Sequence, residues 1–512
     1  MKRPLLLSLL CAIGFSLSFP PSPLGFLAYF ALIPFFMLLS PLGLKEAFRW
    51  GYFTGLFISL GTIYWIYKPT LPGAIAALLY HPLYFGLFGL GYAYTRQRIG
   101  EKVIFAAPFL WVSVEYLKSL GEIGFPWVTI GYTQSYYTYL IQYAEYTSVF
   151  GVSYWIVWLN VCVYQMLKHS QNRRAMMAYG GAFAALIALP LIHGRWTVPD
   201  ELPQSRYVRV AVVQGNIDPY LKWDKNLREM NFAVYERLTL QVGRENADVI
   251  IWPETATPTY LLHDRAGLMR VRRLVYALNT PILTGTMDYI RLRDRNYKTF
   301  NSIVLIDKSP GPYQNYAKMH LVPFGERVPW EDDIPLIKKL LSRFEMGEGN
   351  FSPGKQIVLF DVPVGRSIKG ATNGSKVRVG GVICFESIFS ELVRQFVRRG
   401  AQLLVVVTND GWFGRTGAPY QHAQMAVFRA IENRISVARS ANTGVSMTID
   451  PYGRVRKQTP IFKEAVFVDD IPIRAETTFF TRHGHVFTRS VVILTILMLV
   501  ITRWTSKRPL RA

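Results

Sequence analysis

Apolar residues are concentrated in two parts of the chain, positions 5–192 and positions 491–501, while the stretch between them has mixed composition. A helix that crosses a bilayer needs about 20 mostly apolar residues. Eight segments approach this length and predict membrane-spanning helices: Leu5–Phe19, Phe26–Leu42, Gly51–Tyr67, Gly73–Tyr94, Val103–Leu120, Tyr154–Leu167, Met176–Ile192 and Ser490–Ile501. No small-residue cleavage site follows the first segment, so we predict an uncleaved N-terminal helix.

Between the two apolar regions, short apolar runs alternate with amphipathic stretches. The runs predicted to form strands are Val208–Gln214, Asp248–Trp252, Ile282–Thr286, Ser302–Asp307, Val377–Cys384 and Leu403–Thr408. The stretches predicted to form helices are Asn226–Val242, Ile388–Arg399 and Ala423–Ile435. This alternation is typical of an α/β fold in which helices cover the sheets.

The pattern therefore predicts three segments. We expect a polytopic α-helical membrane domain of seven helices over residues 1–195 and an α/β domain over residues 206–475. A final transmembrane helix with a cytoplasmic tail follows over residues 488–512.

The formal net charge of +23 is explained better by membrane topology than by nucleic-acid binding. Basic chains often bind phosphates, yet no nucleic-acid-binding motif is present, and much of the charge lies in short loops beside apolar runs. These basic residues fall on one side of the predicted spans: Lys2, Arg3, Lys45, Arg49, Arg96, Arg98, Lys102, Lys168, Arg173, Arg174, Arg503, Lys507, Arg508 and Arg511. By the positive-inside rule both termini are cytoplasmic, and residues 195–489 lie outside the cytoplasm.

Cysteine usage predicts neither a disulfide framework nor a metal site. Cys11 and Cys162 lie inside apolar runs, where a cysteine packs as a small hydrophobic residue, and Cys384 lies in the α/β segment. No CxxC pair occurs. We therefore expect no metal and no organic cofactor.

Three polar motifs follow predicted strands of the α/β segment, where such folds keep their chemistry. They contain Glu254, Lys318 and Cys384. Each residue alone has a structural interpretation: the acid caps a helix, the lysine is a solvated charge, and the cysteine belongs to the core. Together they supply a base, a cation and a nucleophile, because a thiol must lose its proton to attack and an oxyanion needs positive charge.

These motifs resemble the Glu-Lys-Cys signature of the nitrilase, or carbon–nitrogen hydrolase, superfamily. With membrane helices on both sides, the chain is similar in particular to the apolipoprotein N-acyltransferase family, and the resemblance covers essentially its whole length. The most specific motifs are WPET at 252–255, KMHLVPFGE at 318–326, CFES at 384–387 and TNDGWFG at 408–414. Three further motifs agree with the family: LKWD at 221–224, QHAQMAVFRAIENR at 421–434 and RSANTG at 439–444. Phe385 departs from the family, which often has tyrosine there.

The resemblance implies an αββα sandwich and a phospholipid:apolipoprotein N-acyltransferase. Glu254 would be the general base, Lys318 and a backbone N–H near Phe385 would stabilise the oxyanion, and Cys384 would carry the acyl chain as a thioester. The donor would be a phospholipid. The acceptor would be the α-amine of the N-terminal diacylglyceryl-cysteine of an apolipoprotein. The enzyme would be a monomer of the bacterial inner membrane with its catalytic domain in the periplasm.

Other residues of the motifs have two interpretations each. Glu326 and Glu386 either orient Lys318 and the substrate amine or make structural hydrogen bonds. Asn409 either shapes the turn behind the cysteine or binds substrate, and Trp223 packs either on an acyl chain or on the core. Trp330 is a further candidate for substrate binding.

Together with Phe324 and Pro329–Trp330, the segment 336–346 mixes apolar and basic residues, as interfacial segments do. It is interpreted either as a mobile lid, with Pro323, Gly325 and Gly347 as flexible flanks, or as an ordinary surface loop.

Two other functions are compatible with parts of this pattern. A membrane-anchored amidase or nitrilase would share Glu254, Lys318 and Cys384 but would release ammonia from a small amide. The other is a non-catalytic binding or transport protein: buried charges in the spans would favour a transporter, yet the spans hold few, of which Glu115 is the clearest.

Overall fold

Helices form most of the N-terminal apolar region. In the computed structural model, which describes residues 2–202, 207–293, 296–330, 351–364, 375–473 and 476–505, the chain separates into two units. The first unit comprises Met1–Tyr67, Leu71–Pro199 and His483–Ala512, and the second comprises Lys68–Thr70 and Asp200–Arg482. The first eight helices are α1 (Lys2–Leu17), α2 (Ile33–Leu39), α3 (Leu44–Thr62), α4 (Leu71–Tyr80), α5 (Pro82–Ile99), α6 (Ala107–Lys118), α7 (Ala144–Lys168) and α8 (Arg173–Thr197).

Two of the predicted spans are divided by proline. The span expected over 26–42 consists of a 3₁₀ turn at Gly25–Tyr29 and the short helix α2, which begins beside Pro34. The span expected over 73–94 is divided near His81 into α4 and α5, with Pro82 as the first residue of α5. Proline lacks the N–H that would continue the preceding helix but fits the first turn of a new one.

Within the described residues, four segments are long and apolar enough to cross a membrane: Leu71–Lys118, Ala144–Lys168, Arg173–Thr197 and Val486–Arg503. Such segments fit the helical membrane domain expected from the sequence. That the chain has eight spans, and where each of them begins and ends, remains a prediction.

Proline also explains a contact between α7 and α8. Pro190 lies inside α8, where it cannot donate to the carbonyl of Leu186 four residues earlier. The indole N–H of Trp155 on α7 donates to that carbonyl at 2.6 Å. The freed backbone acceptor is therefore satisfied from the neighbouring helix.

The buried charges of α6 have structural partners. Glu115 accepts a 2.8 Å hydrogen bond from the N–H of Ile130, and Lys118 donates a 2.6 Å hydrogen bond to the carbonyl of Val128. Both side chains are almost fully buried. These hydrogen bonds connect α6 to the irregular segment that follows it. Both buried charges therefore have a structural role.

The second unit contains two six-stranded sheets. The first has the order β12-β1-β2-β3-β4-β5 and the second the order β11-β10-β9-β8-β7-β6. The strands are β1 (Tyr207–Gln214), β2 (Val249–Ile251), β3 (Ile282–Arg291), β4 (Tyr297–Ile306), β5 (Gln314–Ala317), β6 (Leu359–Pro363), β7 (Lys376–Ile383), β8 (Leu403–Thr408), β9 (Ser436–Ala441), β10 (Met447–Ile449), β11 (Val455–Gln458) and β12 (Ala465–Pro472). In each sheet the three central strands, β1 to β3 and β7 to β9, are parallel, and antiparallel strands flank them.

Helices cover the sheets, and the two sheets contact each other. The helices of this unit are α9 (Arg228–Val242), α10 (Arg265–Leu278), α11 (Ser390–Arg398), α12 (Ala418–Asn433) and α13 (Phe479–His483). α9 and α10 bury Phe232 and Val271 against the first sheet in one apolar core. Between the sheets, the Ser440 hydroxyl of β9 donates to the carbonyl of Val213 in β1 at 3.0 Å. The α/β sandwich predicted from the sequence is confirmed. The last helix, α14 (Val486–Thr505), belongs to the first unit.

Candidate active site

Polar side chains gather where the central parallel strands end. Glu254 follows β2, Cys384 follows β7 directly, and Asn409 follows β8. Lys318 follows β5 at the edge of the first sheet. Ligands of parallel α/β sheets bind beside the carboxyl ends of strands. The predicted base, cation and nucleophile thus come from three separate strand ends.

The turn that carries Glu254 is held by a close backbone approach. A Cβ atom on Gly285 of β3 would lie 2.6 Å from Cα of Glu254 and 2.7 Å from the nitrogen of Thr255. Thr255 has a positive φ of 44°, which is uncommon for a residue other than glycine. The buried Lys222 donates to the Thr255 hydroxyl at 2.9 Å and to the carbonyl of Glu254 at 3.4 Å. Glycine therefore lets β3 approach, and Lys222 fixes the turn from the other side.

Lys318 is buried between two carboxylates. Its ammonium lies 2.8 Å from Oε1 of Glu326 and 3.5 Å from Oε1 of Glu254. Burial alone would lower the pKa of Lys318, but the charges of Glu326 and Glu254 raise its pKa well above the usual range. The ammonium group therefore stays charged at neutral pH.

Asn301 of β4 joins the same cluster. Its side-chain amide donates to Oε1 of Glu254 at 2.8 Å and to Oε1 of Glu326 at 3.1 Å. The backbone N–H of Lys318 donates to the Asn301 carbonyl at 2.8 Å. The second carboxylate oxygen of Glu254 accepts from the N–H of Asn409 at 2.8 Å. Hydrogen bonds from both sheets thus fix the orientation of the Glu254 carboxylate.

Cys384 begins a 3₁₀ turn and has a positive φ of 49°. A non-glycine residue in this region is strained, and such strain persists only where its surroundings enforce it. Burial and the charge of Glu254 raise the pKa of the Cys384 thiol well above its usual value, against the opposing effect of Lys318. The thiol is therefore protonated at neutral pH, so a nearby base is needed to activate it.

Glu386 connects the cysteine turn to the lysine loop. Its Oε1 accepts from the Tyr316 hydroxyl at 2.7 Å and from the N–H groups of Met319 at 2.7 Å and His320 at 3.1 Å. Its Oε2 accepts from the N–H of Ile383 at 2.8 Å. Burial raises the pKa of Glu386, against the effect of these hydrogen bonds. Of the two sequence-based interpretations, these contacts favour structural hydrogen bonding for Glu386.

Glu326 contacts Lys318 and also accepts a structural hydrogen bond from the backbone. Its Oε1 binds Lys318, as described above, and its Oε2 accepts from the N–H of Val322 at 2.8 Å. It therefore orients the lysine and also closes the loop that follows it.

The other predicted residues lie in different surroundings. Phe385 is buried, with its ring 5.2 Å from that of Phe389. Trp223 is 44% exposed and Trp330 is 36% exposed. The Asn409 side chain, in the turn after β8, accepts at 3.1 Å from Asn442, which follows β9. Contacts of Trp223, Trp330 and Asn409 with substrate stay predictions.

The predicted lid at 336–346 and its flank Gly347 lie outside the described residues. The other two flanks, Pro323 and Gly325, are described and lie in the loop that Glu326 closes.

A buried group of possible metal ligands does not have the character of a metal site. Single ligand atoms of Cys384, Asp410 and His422 lie within 4.8 Å of one another. Asp410 already binds His422 at 2.9 Å and the guanidinium of Arg439 at 2.9 Å. The fixed positive charge of Arg439 therefore occupies the place where a cation would bind the carboxylate.

Sequence reasoning assigned no role to three residues of this region, namely Asn301, Lys222 and His422. Asn301 lies in mid-strand and His422 in mid-helix, so neither position has the strand-end signal used to find the others. Lys222 lies in the LKWD motif, in which only Trp223 was assigned a possible role.

Comparison with known proteins matches both parts of the chain. Residues 209–478 match the family model of carbon-nitrogen hydrolases, and residues 11–162 match that of the apolipoprotein N-acyltransferase N-terminal domain. Among solved structures, an amidase from Nesterenkonia sp. is 18% identical, with a TM-score of 0.38, over 57% of this chain and 98% of the amidase.

Full-length relatives are more similar. An apolipoprotein N-acyltransferase from Geobacter metallireducens is 35% identical over 95% of this chain and 92% of its own length. One from Chlorobaculum tepidum is 34% identical over 94% of this chain and 93% of its own length. This chain therefore belongs to the apolipoprotein N-acyltransferase family and carries a carbon–nitrogen hydrolase domain.

Proposed function

We propose that this protein transfers an acyl chain from a phospholipid to the α-amine of the N-terminal diacylglyceryl-cysteine of bacterial lipoproteins. The acyl chain passes through a thioester on Cys384. The observation that carries the proposal is the buried cluster in which Lys318 contacts both Glu254 and Glu326, with the charges of Glu254 and Lys318 acting on the pKa of the Cys384 thiol. Full-length relatives named apolipoprotein N-acyltransferase supply the substrate class.

In the first half-reaction, Glu254 takes the thiol proton, and the sulfur of Cys384 attacks an ester carbonyl of the phospholipid. The carbonyl oxygen becomes an oxyanion, which the Lys318 ammonium and a backbone N–H near Phe385 stabilise. The C–O bond to glycerol then breaks, and the leaving oxygen takes the proton from Glu254. The products are a lysophospholipid and an acyl thioester on Cys384.

In the second half-reaction, the α-amine of the lipoprotein attacks the thioester. Glu254 accepts a proton from the attacking amine, and Lys318 again stabilises the oxyanion. The C–S bond breaks, and the proton returns to the departing sulfur. The product is an amide, and Cys384 returns to its thiol form.

The charge distribution of the cluster suits both steps. Lys318 is held charged by two carboxylates, so it is in place before an oxyanion forms and needs no reorganisation. Asn301 and the N–H of Asn409 orient Glu254 on both oxygens. Glu326 shares the charge of Lys318, which leaves Glu254 the more weakly bound of the two carboxylates.

The proposed cellular location rests on the apolar helices and the relatives. The apolar helices and the bacterial relatives indicate a bacterial membrane protein. We propose a multi-pass protein of the inner membrane with both termini in the cytoplasm and the catalytic unit in the periplasm. The basic residues on one side of the predicted spans support this orientation. We propose that the enzyme acts as a monomer.

Intact-protein mass spectrometry after incubation with phospholipid tests the proposal. We expect a mass increase of one acyl chain, which hydroxylamine removes and which a Cys384→Ala variant lacks. Addition of a synthetic diacylated lipopeptide should then discharge the adduct and yield an N-acylated peptide. A Cys162→Ala variant is the matched control, because it removes a buried thiol far along the chain and should acylate normally.

This experiment, combined with an assay for ammonia release, also distinguishes the acyltransferase from the competing amidase. Absence of an adduct in folded wild-type protein, together with release of ammonia from small amides, would replace the acyltransferase by a membrane-anchored amidase.

A further inference from the structure

Behind the cysteine turn lies a buried polar network that the proposed reaction does not use. The carbonyl of Cys384 accepts a 2.8 Å hydrogen bond from the Ser387 hydroxyl and lies 3.1 Å from Nε2 of His422. The ring of His422 lies on α12, and its side chain is fully buried. Two side chains thus converge on the backbone carbonyl of the proposed nucleophile.

Each ring nitrogen of His422 has two polar neighbours. A backbone carbonyl only accepts hydrogen bonds, so a bond to the Cys384 carbonyl requires a proton on Nε2 of His422, which also lies 3.0 Å from the Ser387 hydroxyl. Nδ1 faces the carboxylate of Asp410 at 2.9 Å and the guanidinium of Arg439 at 3.0 Å. A carboxylate in this place fixes the ring orientation, as partners of functional histidines commonly do.

Asp410 is itself held rigidly. Its Oδ1 accepts from the Thr408 hydroxyl at 3.0 Å, and its Oδ2 accepts from Arg439 at 2.9 Å. Gly444 lies so near that a Cβ there would collide with the Asp410 carboxylate. Asp410 and Arg439 are fully buried, so water does not compete for the hydrogen bonds between them.

We propose that His422 is a positioning residue, which holds the carbonyl of Cys384 through Nε2 and so keeps the thiol directed at Glu254 and Lys318. Cys384 has a positive φ. A residue other than glycine keeps this conformation only where its surroundings restrain the backbone. The bond from His422 is such a restraint, and Asp410 with Arg439 keeps the ring in place. This inference rests on the proposed function of Cys384 and adds a residue to it.

The test compares two amide substitutions of the same position. Glutamine places an amide nitrogen near the position of Nε2, whereas asparagine reaches only the position of Nδ1. Both variants keep a polar, uncharged side chain on α12. The measurement is single-turnover formation of the Cys384 thioester from phospholipid in mixed micelles, with rate and half-saturation recorded separately.

We expect His422→Asn to lower the maximal rate by about 10- to 100-fold, because a misplacement of about 1 Å at a reacting group costs rate on this scale. The half-saturating phospholipid concentration should stay the same, since His422 does not contact substrate in this proposal. His422→Gln should retain most of the rate. Gln424→Leu, a change at another buried polar position of α12, is the control and should acylate normally.

A second readout does not depend on lipid. The rate at which iodoacetamide alkylates Cys384, followed by peptide mass mapping, reports the thiolate fraction at each pH. Lys318 favours the thiolate, so a thiol displaced from Lys318 should need higher pH to react. We expect the alkylation profile of His422→Asn to shift to higher pH and that of His422→Gln to match the wild type.

The outcomes separate this inference from the proposed function. If the wild type forms no thioester, the proposed function fails, and the alkylation profiles still decide the role of His422. Equal rates and equal profiles in both variants and the wild type would overturn the inference. Equal impairment of both variants would also overturn it, because a donor at the Nε2 position would then have no effect.

Discussion

The ammonium of Lys318 is 2.8 Å from Glu326 and 3.5 Å from Glu254, so its nearer partner is the carboxylate that is not the proposed base. A single lysine between two buried carboxylates neutralises only one of them. The shorter contact to Glu326 leaves Glu254 with more of its capacity to accept a proton. Glu326 thus acts on the chemistry through Lys318.

This relationship predicts the effect of Glu326→Gln. The variant keeps a side chain of the same size but removes one negative charge, so Lys318 should pair more strongly with Glu254 and weaken it as a base. Positioned acid–base catalysis contributes about 10²–10⁴-fold, and we expect a loss of at least about 10-fold in single-turnover thioester formation. Asp361→Asn, which alters an exposed carboxylate, is the control. A Glu326→Gln enzyme as fast as the control would contradict the prediction.

Glu254→Gln should change two properties of Cys384 in opposite directions. The charge of Glu254 raises the pKa of the thiol, so its removal should lower that pKa and increase the thiolate fraction at pH 7–8. Alkylation by iodoacetamide should therefore become faster. Thioester formation from phospholipid should become slower, because no carboxyl group remains to give a proton to the leaving oxygen.

Measurement of both rates on the same preparation checks this. If alkylation and acyl transfer fall together, Glu254 has only a structural role. Asp288→Asn, which removes a carboxylate bound to Asn315 in the same sheet, is a suitable control.

The strand-end residues could be predicted because they follow recognisable apolar runs. Strand β8 has the predicted bounds, since its run of leucine and valine leaves no polar interruption. Strands β9 to β12 were not predicted, and neither were β5 and β6. Strand β5 is the four residues QNYA, and β6 contains an aspartate and ends in proline. Both are edge strands, whose pairing with one neighbour decides the structure more than their own sequence does.

The rest of the site depends on contacts between distant parts of the chain. Asn301 reaches Glu254 across 47 positions, and Tyr316 reaches Glu386 across 70. No local periodicity records such contacts. The two interpretations of Glu386 could be weighed only after the fold had brought Met319 and Ile383 to its two oxygens.

Glu386→Ala should lower stability more than removal of one hydrogen bond does. The N–H groups of Ile383, Met319 and His320 would lose their acceptor, and each unsatisfied buried donor costs about 1–3 kcal/mol. Tyr316→Phe removes a single donor to the same carboxylate and should cost only about 1 kcal/mol. Chemical unfolding in detergent measures both. Equal losses would mean that the three backbone groups find other partners.

Gly285→Ala should damage the Glu254 turn. The new Cβ would lie within 2.7 Å of backbone atoms of Pro253, Glu254 and Thr255, which cannot rotate away. Overpacking of this kind costs about 1–3 kcal/mol, and the displaced carboxylate should also slow thioester formation by about 10-fold or more. Gly181→Ala has open space around the new atom and lies inside α8, where alanine favours the helix, so it should leave acylation unchanged and should not destabilise the protein. Normal acylation in Gly285→Ala would mean that the turn tolerates the shift.

Asp410 should contribute to the acid sensitivity of the fold. Burial alone would raise the pKa of Asp410, but Arg439 and His422 lower it from 3.8 to about 2. A group with a lowered pKa in the folded state stabilises the protein above its unfolded pKa, and this contribution is lost as the pH falls from about 4 to about 2. A shift of this size corresponds to about 2 kcal/mol at neutral pH.

Asp410→Asn should therefore be less stable at pH 7 by about that amount, and its stability should fall less steeply than that of the wild type between pH 4 and pH 2. Chemical unfolding in detergent at several pH values measures both quantities. Asp470→Asn is the control, because Asp470 also has a lowered pKa but lies partly exposed beside Arg209, where solvent weakens the ion pair. If the acid slope of Asp410→Asn equals that of the wild type, the Asp410–Arg439 pair does not hold the carboxylate in its charged form. The rigid support inferred for His422 would then have to come from the Ser387 hydroxyl, 3.0 Å from Nε2 of His422, and from the packing of α12.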